Sequence, residues 1–311
     1  MTDTSATATA PVLTLSNVRK KYRGRDALKG ISLQLFPGEL LGFFGPNGAG
    51  KTTMIRCISG LLKPDSGKII RHTVSENGMS SPVRLGLVPQ NLAVYPDLTV
   101  QQNLEVFGRL EGVSGRNLKD RIAEVLEWAA LNDRTRSLAK TLSGGMQRRL
   151  NIACGVLHRP NILLLDEPTV GVDPQSRERI YTMMEQLTAL GAAVLITTHQ
   201  LEEVETRCDR IVVIDHGGIV ASGTLSELVQ QTIGRLHRVI LRFDRPCTGP
   251  LAPFVFDEPR TSATYAIESM KELPRVLAGL KQLDQEPSRI DVRSYGLQDV
   301  FLELTGRSLR E

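Results

Sequence analysis

The fold of this chain is decided by the stretch Gly45-Pro46-Asn47-Gly48-Ala49-Gly50-Lys51-Thr52, which matches G-x-x-x-x-G-K-[ST], the pattern of a phosphate-binding loop. The apolar run at residues 40–44 before it predicts a buried strand. Residues 52–58 after it predict the beginning of a helix. A loop of this composition between a strand and a helix predicts a phosphate site rather than a plain glycine-rich turn.

The chemistry of such a loop lies largely in its backbone. Glycines let successive N–H groups turn inward around a β-phosphate, and the helix N-terminus adds its partial positive charge. In this pattern Lys51 reaches the β- and γ-phosphates, and the hydroxyl of Thr52 binds Mg²⁺. The loop therefore predicts a site for a phosphorylated nucleotide and its metal ion.

Composition sets broad limits on the rest of the chain. The 311 residues are 41% hydrophobic and 23% charged, which is ordinary for one large or two modest globular domains. The longest apolar runs, at 162–165 and 192–196, are far shorter than the ~18 residues that span a bilayer. The first ten residues lack the basic start and apolar centre of a signal peptide, so we expect a disordered tail over 1–11.

The cysteines and the charge balance suggest no zinc site, no disulfide framework and no nucleic-acid partner. The four cysteines have no C-x-x-C spacing, which favours reduced, cytosolic thiols over a zinc site or a disulfide framework. The net charge of +4 is mild. The basic cluster at 19–21 is too small to predict nucleic-acid binding and is typical of a solvated strand end.

The segments around the loop are typical of strands. Residues 12–22 and 31–36 predict antiparallel strands that lead into it. Tyr22 ends the first of them, where it can stack on adenine or can equally be a half-buried strand tyrosine. Beyond the loop helix, strands are expected at 68–74 and at 83–88, with Gln90 at the end of the second.

A helical insertion is predicted over about residues 92–158. Thr99 and Gln102 form a capping box at the beginning of its first helix. The residues expected to face inward are Leu104, Phe107 and Leu110 on the first helix and Leu118, Ile122, Val125, Leu126 and Ala129 on the second. A third helix follows Leu142-Ser143-Gly144-Gly145-Met146-Gln147, with Ser143 as its N-cap. A helix beginning with serine and two glycines is a second potential anion site, although the motif is weak on its own.

Two acids follow the apolar run at 161–165, which predicts a central parallel strand. Buried carboxylates next to such a strand need a positive partner. Mg²⁺ held through Asp166 would be that partner, and Glu167 would then polarise an attacking water. The alternative interpretation is that both acids only cap a helix at the strand end.

A second buried strand is expected at 192–197, after a turn at 171–174 and a helix at 175–190. It leads into His199. An isolated histidine at a strand end is commonly a satisfied surface or core residue. Here the strand is expected to be parallel to the one before it, so its carboxyl end, and His199, would face the nucleotide.

Taken in order, these motifs resemble the ATP-binding subunit of an ABC transporter over about residues 12–223. The resemblance implies an α/β fold with a P-loop NTPase (RecA-like) core, an N-terminal antiparallel β subdomain, the inserted helical subdomain, and a small α+β C-terminal appendage. It implies ATP and Mg²⁺ as cofactors and ATP hydrolysis as the reaction. In the D-loop, the pair Gly171-Val172 replaces the commoner pair of a small residue and a leucine. This departure casts little doubt on ATP hydrolysis.

The resemblance also implies roles for individual residues. It makes Gln90 the Q-loop glutamine and His199 the switch histidine, both catalytic together with Glu167. It makes Thr52, Gln90 and Asp166 the metal ligands. The residues implied in nucleotide binding are Tyr22, Gly45, Pro46, Asn47, Gly48, Ala49, Gly50, Lys51, Thr52, Thr53, Ser143, Gly144, Gly145, Gln147 and the D-loop Asp173.

Implied partners follow from the same family. Two subunits dimerise head to tail on ATP, and the signature at 142–147 of one closes on ATP held by the phosphate loop of the other. A separate integral-membrane permease binds the pair at the cytoplasmic face of the membrane, and no nucleic acid is expected. Residues 91–98, rich in apolar side chains and holding one proline, are the candidate docking loop. Alternatively, Leu92 and Leu98 fold back under the helical subdomain.

Residues 224–311 carry no nucleotide motif. A helix capped by Thr224, strands at 238–243, 264–268 and 289–293, and a helix at 272–283 predict a small α+β domain. A final amphipathic helix is expected to place Leu297, Val300, Phe301 and Leu304 on one face. Together with the signature, this end resembles the export branch of the family, in which drugs, polyketides, haem, lipo-oligosaccharides or sodium are transported.

Two other functions compete with transport. A soluble ABC ATPase could act on DNA, ribosomes or iron–sulfur assembly, but translation-type members carry two cassettes and DNA-repair types carry long coiled coils. This chain has one cassette and no sustained heptads. A P-loop kinase has no use for the Leu-Ser-Gly-Gly-Met-Gln motif. The patterns therefore favour a transport ATPase.

Overall fold

The computed structural model describes residues 10–76, 79–234, 237–247, 254–257, 260–280 and 287–306. Of the tail expected over 1–11, residues 1–9 lie outside these ranges. The chain divides into two units, Met1–Ala221 and Ser222–Glu311. Within the described ranges, no helix combines the length and the apolarity needed to cross a membrane.

The described strands are β1 (Leu13–Tyr22), β2 (Arg25–Leu35), β3 (Leu40–Phe44), β4 (Ser66–Arg71), β5 (Val74–Glu76), β6 (Met79–Ser81), β7 (Leu85–Val88), β8 (Ile162–Asp166), β9 (Ala193–Thr198), β10 (Arg210–Asp215), β11 (Gly218–Gly223), β12 (His237–Arg242), β13 (Val255–Phe256), β14 (Ser262–Ile267) and β15 (Arg289–Ser294). The described α-helices are α1 (Lys51–Ser59), α2 (Val100–Leu110), α3 (Gly115–Trp128), α4 (Gly144–Val156), α5 (Pro174–Ala189), α6 (Leu201–Arg207), α7 (Leu225–Thr232), α8 (Leu273–Leu280) and α9 (Leu297–Thr305).

A six-stranded sheet in the order β11-β10-β3-β9-β8-β7 carries the first unit. From β10 to β7 each neighbouring pair is parallel. Strands β3, β8 and β9 are buried along their whole length, as expected for parallel strands covered on both faces. The predicted α/β core is therefore confirmed.

Alternation along β8 divides the interior of this unit into two cores. Leu163 and Leu165 belong to the core formed with α2 to α5. Ile162 and Leu164 belong to the opposite core, formed with α1 and the N-terminal strands. Because successive side chains of a strand point to opposite faces, one short apolar run holds both layers on the sheet.

The N-terminal subdomain is a three-stranded antiparallel sheet in the order β2-β1-β4, as predicted. The strand expected at 68–74 is wrong at both ends, since β4 runs Ser66–Arg71 and Val74 pairs with Ser81 in a separate hairpin. Strand β7 begins at Leu85 rather than at Val83 and ends at Val88 as predicted, because Pro89 has no N–H to donate to the sheet.

The inserted helices follow their predicted pattern closely. Thr99 and Gln102 form both hydrogen bonds of the capping box. The five apolar residues predicted to face inward from the second helix are buried, and Leu104 of the first is fully buried. Leu110 was predicted to face inward, which is wrong: it is 70% exposed, because α2 ends there and the chain turns away at Gly112 in a left-handed conformation.

Residues 201–223 were given no structure by the sequence patterns, and they form three elements. Helix α6 follows His199, β10 pairs with β3, and β11 forms one edge of the sheet. Strand β10 brings Ile214 next to the phosphate loop. These elements were missed because no motif marks them.

The second unit contains a four-stranded antiparallel sheet in the order β13-β14-β12-β15. Its core includes Val239, Leu241 and Ile267. The helix expected at 272–283 is described over Leu273–Leu280, and 281–283 lie outside the described residues. On the predicted apolar face of α9, Leu297, Val300 and Phe301 are buried, whereas Leu304 in the last turn is 37% exposed.

Candidate nucleotide site

The loop at Gly45–Thr52 joins β3 to α1, and two of its glycines are required by close backbone approach. A Cβ on Gly45 would lie 2.2 Å from the carbonyl oxygen of Ile214, and one on Gly50 would lie 2.5 Å from that of Ala27. Gly50 also has φ 112, a left-handed conformation that suits glycine. The loop is thereby fixed against β10 and β2 before α1 begins at Lys51.

The Lys51 side chain is buried and turned back over the loop. Its Nζ donates to the carbonyl oxygens of Gly45 at 2.7 Å and Pro46 at 3.2 Å. The same Nζ lies 3.2 Å from Oε1 of Glu167. Burial lowers the pKa of Lys51 from its ordinary value, and the negative charge of Glu167 opposes that shift. The Glu167 carboxylate therefore favours the charged form of Lys51.

Glu167 follows the end of β8 in an unusual backbone conformation. Its φ of 47 lies in the left-handed region, which costs a non-glycine residue about 1–2 kcal/mol. Two hydrogen bonds hold it there, from its N–H to the carbonyl oxygen and to Oγ1 of Thr197, each at 3.1 Å. Strain of this kind persists only where the surroundings fix it, and it is common at functional sites.

Three predicted site residues converge on the Glu167 carboxylate. Besides the contact with Lys51, Gln90 Nε2 donates to Oε2 at 3.1 Å, and His199 Nδ1 lies 3.3 Å from Oε1. These side chains come from the loop after β3 and from the ends of β7 and β9. The carboxyl ends of four parallel strands thus meet at one carboxylate.

Asp166 lies deeper than its neighbour. It is almost fully buried, and its Oδ1 accepts a hydrogen bond of 2.6 Å from the Thr197 hydroxyl. The adjoining pocket is lined by Ala27, Asn47, Gly48, Gly50, Lys51, Thr52, Thr53, Gln90 and Glu167. Most of these residues were predicted from the loop motif. Ala27 was missed because nothing in its local sequence marks it, and Thr197 because its role depends on the neighbouring strand.

Other predicted residues lie away from this pocket. Tyr22 is 43% exposed at the tip of the β1–β2 hairpin and is not among the pocket residues. Ser143 caps α4 as predicted, accepting from the N–H of Met146 at 3.3 Å. Asp173 caps α5 in the same way, accepting from the N–H of Ser176 at 2.9 Å.

The beginnings of α4 and α5 are packed directly together. A Cβ on Gly145 would lie 2.1 Å from Oγ of Ser176 and 3.0 Å from Oδ2 of Asp173. At Gly144, by contrast, an added Cβ would meet nothing within 4 Å. In the signature motif, Gly145 is therefore packed on the beginning of α5, whereas Gly144 faces open space.

The sequence profile of the ABC transporter family matches residues 28–170. The chain is also 37% identical to the linearmycin resistance ATP-binding protein LnrL of Bacillus subtilis (strain 168), over 96% of this chain and 100% of that protein. The chain belongs to the ABC transporter family. As an ABC subunit it is an ATPase that couples ATP hydrolysis to transport, and the sequence-based preference for transport over DNA, ribosome or iron–sulfur functions is confirmed.

Two further comparisons support this ABC assignment. The Nod factor export ATP-binding protein I of Ralstonia nicotianae is 35% identical over 97% of this chain and 96% of its own length. A solved structure of the ATP-binding cassette MJ0796, dimeric in a post-hydrolysis state with ADP and Pi, has a TM-score of 0.59 and 27% identity. The alignment covers 68% of this chain and 98% of the MJ0796 chain. The relatives with export and resistance names match nearly the whole of this subunit, including its second unit.

Proposed function

We propose that this chain powers export through a separate membrane permease, binding it at the cytoplasmic face of the membrane. The observation that carries the hydrolytic part of the proposal is the convergence of Lys51, Gln90 and His199 on the Glu167 carboxylate. Such a group of side chains at the ends of parallel strands suits cleavage of a phosphate held by the adjacent loop. The names of the relatives that it resembles support the export direction.

The residues present fit Mg²⁺. Thr52 and Gln90 line the pocket, and the Asp166 carboxylate lies at the neighbouring strand end. Because the Gln90 amide nitrogen donates to Glu167, its amide oxygen is the atom that can act as a ligand. Hydroxyl, amide and carboxylate oxygens are the donors that Mg²⁺ prefers. Bound there, Mg²⁺ would neutralise charge on the β- and γ-phosphates.

Glu167 is the proposed general base. Its carboxylate lies at the pocket, and its left-handed backbone directs the side chain away from the run of β8. His199 orients the same carboxylate, and Lys51 turns from the loop carbonyls towards the phosphates when ATP binds. Tyr22 is exposed at its hairpin tip, where an aromatic face is open for adenine.

ATP-dependent head-to-tail dimerisation is proposed because the signature motif does not line the pocket of its own chain. Ser143 and Gly144 lie at a helix N-terminus, and Gly144 faces open space, so both are available to a γ-phosphate held by a second copy. The MJ0796 cassette, which is similar to this chain, is dimeric in its post-hydrolysis state. Two nucleotides would then be buried at one twofold interface.

The docking loop at 91–98 is proposed to contact the permease. Leu92 and Tyr95 are 40% and 48% exposed, whereas Val94 packs on the helical core. The buried Asn103 fixes the loop: its Oδ1 accepts from the N–H of Tyr95 at 2.7 Å, and its Nδ2 donates to the Tyr95 carbonyl at 3.0 Å. An exposed tyrosine on a rigid loop suits a protein contact. The alternative, in which Leu92 and Leu98 both fold back under the helical subdomain, is not supported at Leu92, which is exposed, although Leu98 is half-buried.

The first prediction concerns Glu167→Gln. We expect ATP affinity to be retained and turnover to fall by ~10²–10⁴, because a positioned general base is removed while the shape is kept. Affinity is measured by calorimetry and turnover by phosphate release. Glu127→Gln, an exposed site on α3, is the control and should keep wild-type turnover. Normal phosphate release by the Glu167 variant would rule out its role as base.

The second prediction concerns assembly. The Glu167→Gln chain should be a monomer without nucleotide and a dimer with Mg-ATP, because bound ATP is no longer cleaved. Adding Ser143→Arg should abolish the dimer, since a bulky cation would occupy the surface that receives the partner's phosphate, while each monomer still binds ATP. Size-exclusion chromatography with light scattering measures both states. A dimer that persists in the Ser143 variant would contradict the proposed interface.

The third prediction separates docking from folding. Tyr95→Asp removes a ring contact with Phe107, so the melting temperature should fall only slightly and basal ATPase should be nearly unchanged, yet co-purification with the permease should be abolished. Val94→Asp should lower the melting temperature, because it buries a charge on the helical core. Leu110→Asp, at an exposed position, is the control for a surface charge and should keep permease binding. If Tyr95→Asp melts early but co-purifies at wild-type yield, the loop has a folding role.

A further inference from the structure

A second buried carboxylate, Glu203, lies behind the nucleotide site. It is 5% exposed in α6, four residues beyond His199, and no motif assigned it a role. Its Oε2 accepts hydrogen bonds from the hydroxyls of Thr169 at 2.9 Å and Thr198 at 3.0 Å. The two threonines belong to different segments, so one oxygen atom joins the chain after β8 to the end of β9.

The contact with Thr198 bears on His199. The Thr198 hydroxyl donates to Glu203 and accepts from the N–H of Gln200 at 3.0 Å. The Thr198 side chain therefore ties the residue before His199 to the residue after it, and both to Glu203. A histidine that approaches a catalytic carboxylate needs a fixed backbone, and this pair of hydrogen bonds supplies one.

The contact with Thr169 bears on the segment that leads to Asp173. The Thr169 carbonyl accepts from the N–H of Val172 at 3.2 Å. The other oxygen of Glu203, Oε1, lies 3.5 Å from Nε of Arg177, and Nη2 of Arg177 donates to the Val172 carbonyl at 3.4 Å. Glu203 thus holds the D-loop segment from both of its ends.

The groups around Glu203 stabilise its buried carboxylate. A buried carboxylate is unfavourable unless it is hydrogen-bonded and paired, and here two hydroxyls and a guanidinium surround it. The Tyr181 hydroxyl also faces it, without a hydrogen bond of ordinary geometry. Burial, followed by the negative charge of Glu203, raises the pKa of Tyr181, which keeps that hydroxyl protonated.

We propose that Glu203 is a positioning residue that holds His199 and the D-loop segment at Thr169–Asp173 in a fixed relation to each other. The inference rests on the proposed function, because His199 acts there. It goes beyond that function by linking the hydrolysis site to the D-loop segment, whose Asp173 packs against Gly145 of the signature motif. A change at the dimer interface would then reach His199 through one carboxylate.

The test is steady-state ATPase of the full chain with Glu203→Gln and Glu203→Ala. We expect the KM for ATP to stay within about twofold, because the phosphate loop is not touched, while kcat falls about tenfold for Ala and less for Gln. Gln keeps both the volume of Glu and an acceptor for the threonine hydroxyls, so its loss should be the smaller one, and an unchanged KM beside a lower kcat is the sign of positioning. Glu202→Gln, the exposed neighbour on α6, is the control and should match wild type.

Two further variants test the link itself. Thr169→Val and Thr198→Val should each lower kcat, and in the Glu203→Ala background Thr169→Val should not lower it further, because its partner is gone. If Glu203→Ala fails to fold, the two single threonine variants still test whether the hydrogen bonds to Glu203 affect kcat. Wild-type kcat in all of them, or losses that follow the melting temperature alone, would overturn the inference. If Glu167→Gln turns over normally, the proposed function has failed instead, whatever the Glu203 variants do.

Discussion

The structure of the site depends on one buried ion pair, between the Lys51 ammonium and the Glu167 carboxylate. The two side chains are 5% and 9% exposed, and their charged atoms lie 3.2 Å apart. Neither charge could be buried alone at acceptable cost. The pair joins the loop after β3 to the end of β8, and β9 lies between those strands in the sheet. Bringing the two charges together therefore requires the parallel order of all three strands.

The same requirement explains the strain at Glu167 and the threonines of β9. A residue that continued the extended path of β8 would not turn towards Lys51, so the backbone adopts a left-handed conformation. Thr197 holds that conformation and satisfies the buried Asp166. The next residue, Thr198, reaches Glu203. Two consecutive threonines at the end of β9 thus bond to the two buried acids on either side of the strand. Thr197 bonds to Asp166 next to the pocket, and Thr198 bonds to Glu203 outside it.

Features of the fold and the site could be predicted from the sequence where they depend on residues close together in the chain, and not where they depend on residues far apart in it. The phosphate loop, the capping boxes and the apolar run of β8 were predicted correctly because local backbone geometry or strand periodicity specifies them. The inward position predicted for Leu110 was wrong because periodicity does not reveal where a helix leaves its core. Thr197 and Glu203 could not be found, since each is satisfied by residues on neighbouring elements. The roles assigned to the separate signature and D-loop segments came from family resemblance and stay predictions.

The central claim is that the buried pair of Lys51 and Glu167 holds the phosphate loop and the β8 end together. A double-mutant cycle of Lys51→Met and Glu167→Gln, read as the free energy of unfolding in urea, measures it most directly. We expect each single change to destabilise the chain and the double change to cost less than their sum, with a coupling energy of about 1–3 kcal/mol. Additive effects, with no coupling between the two positions, would contradict it.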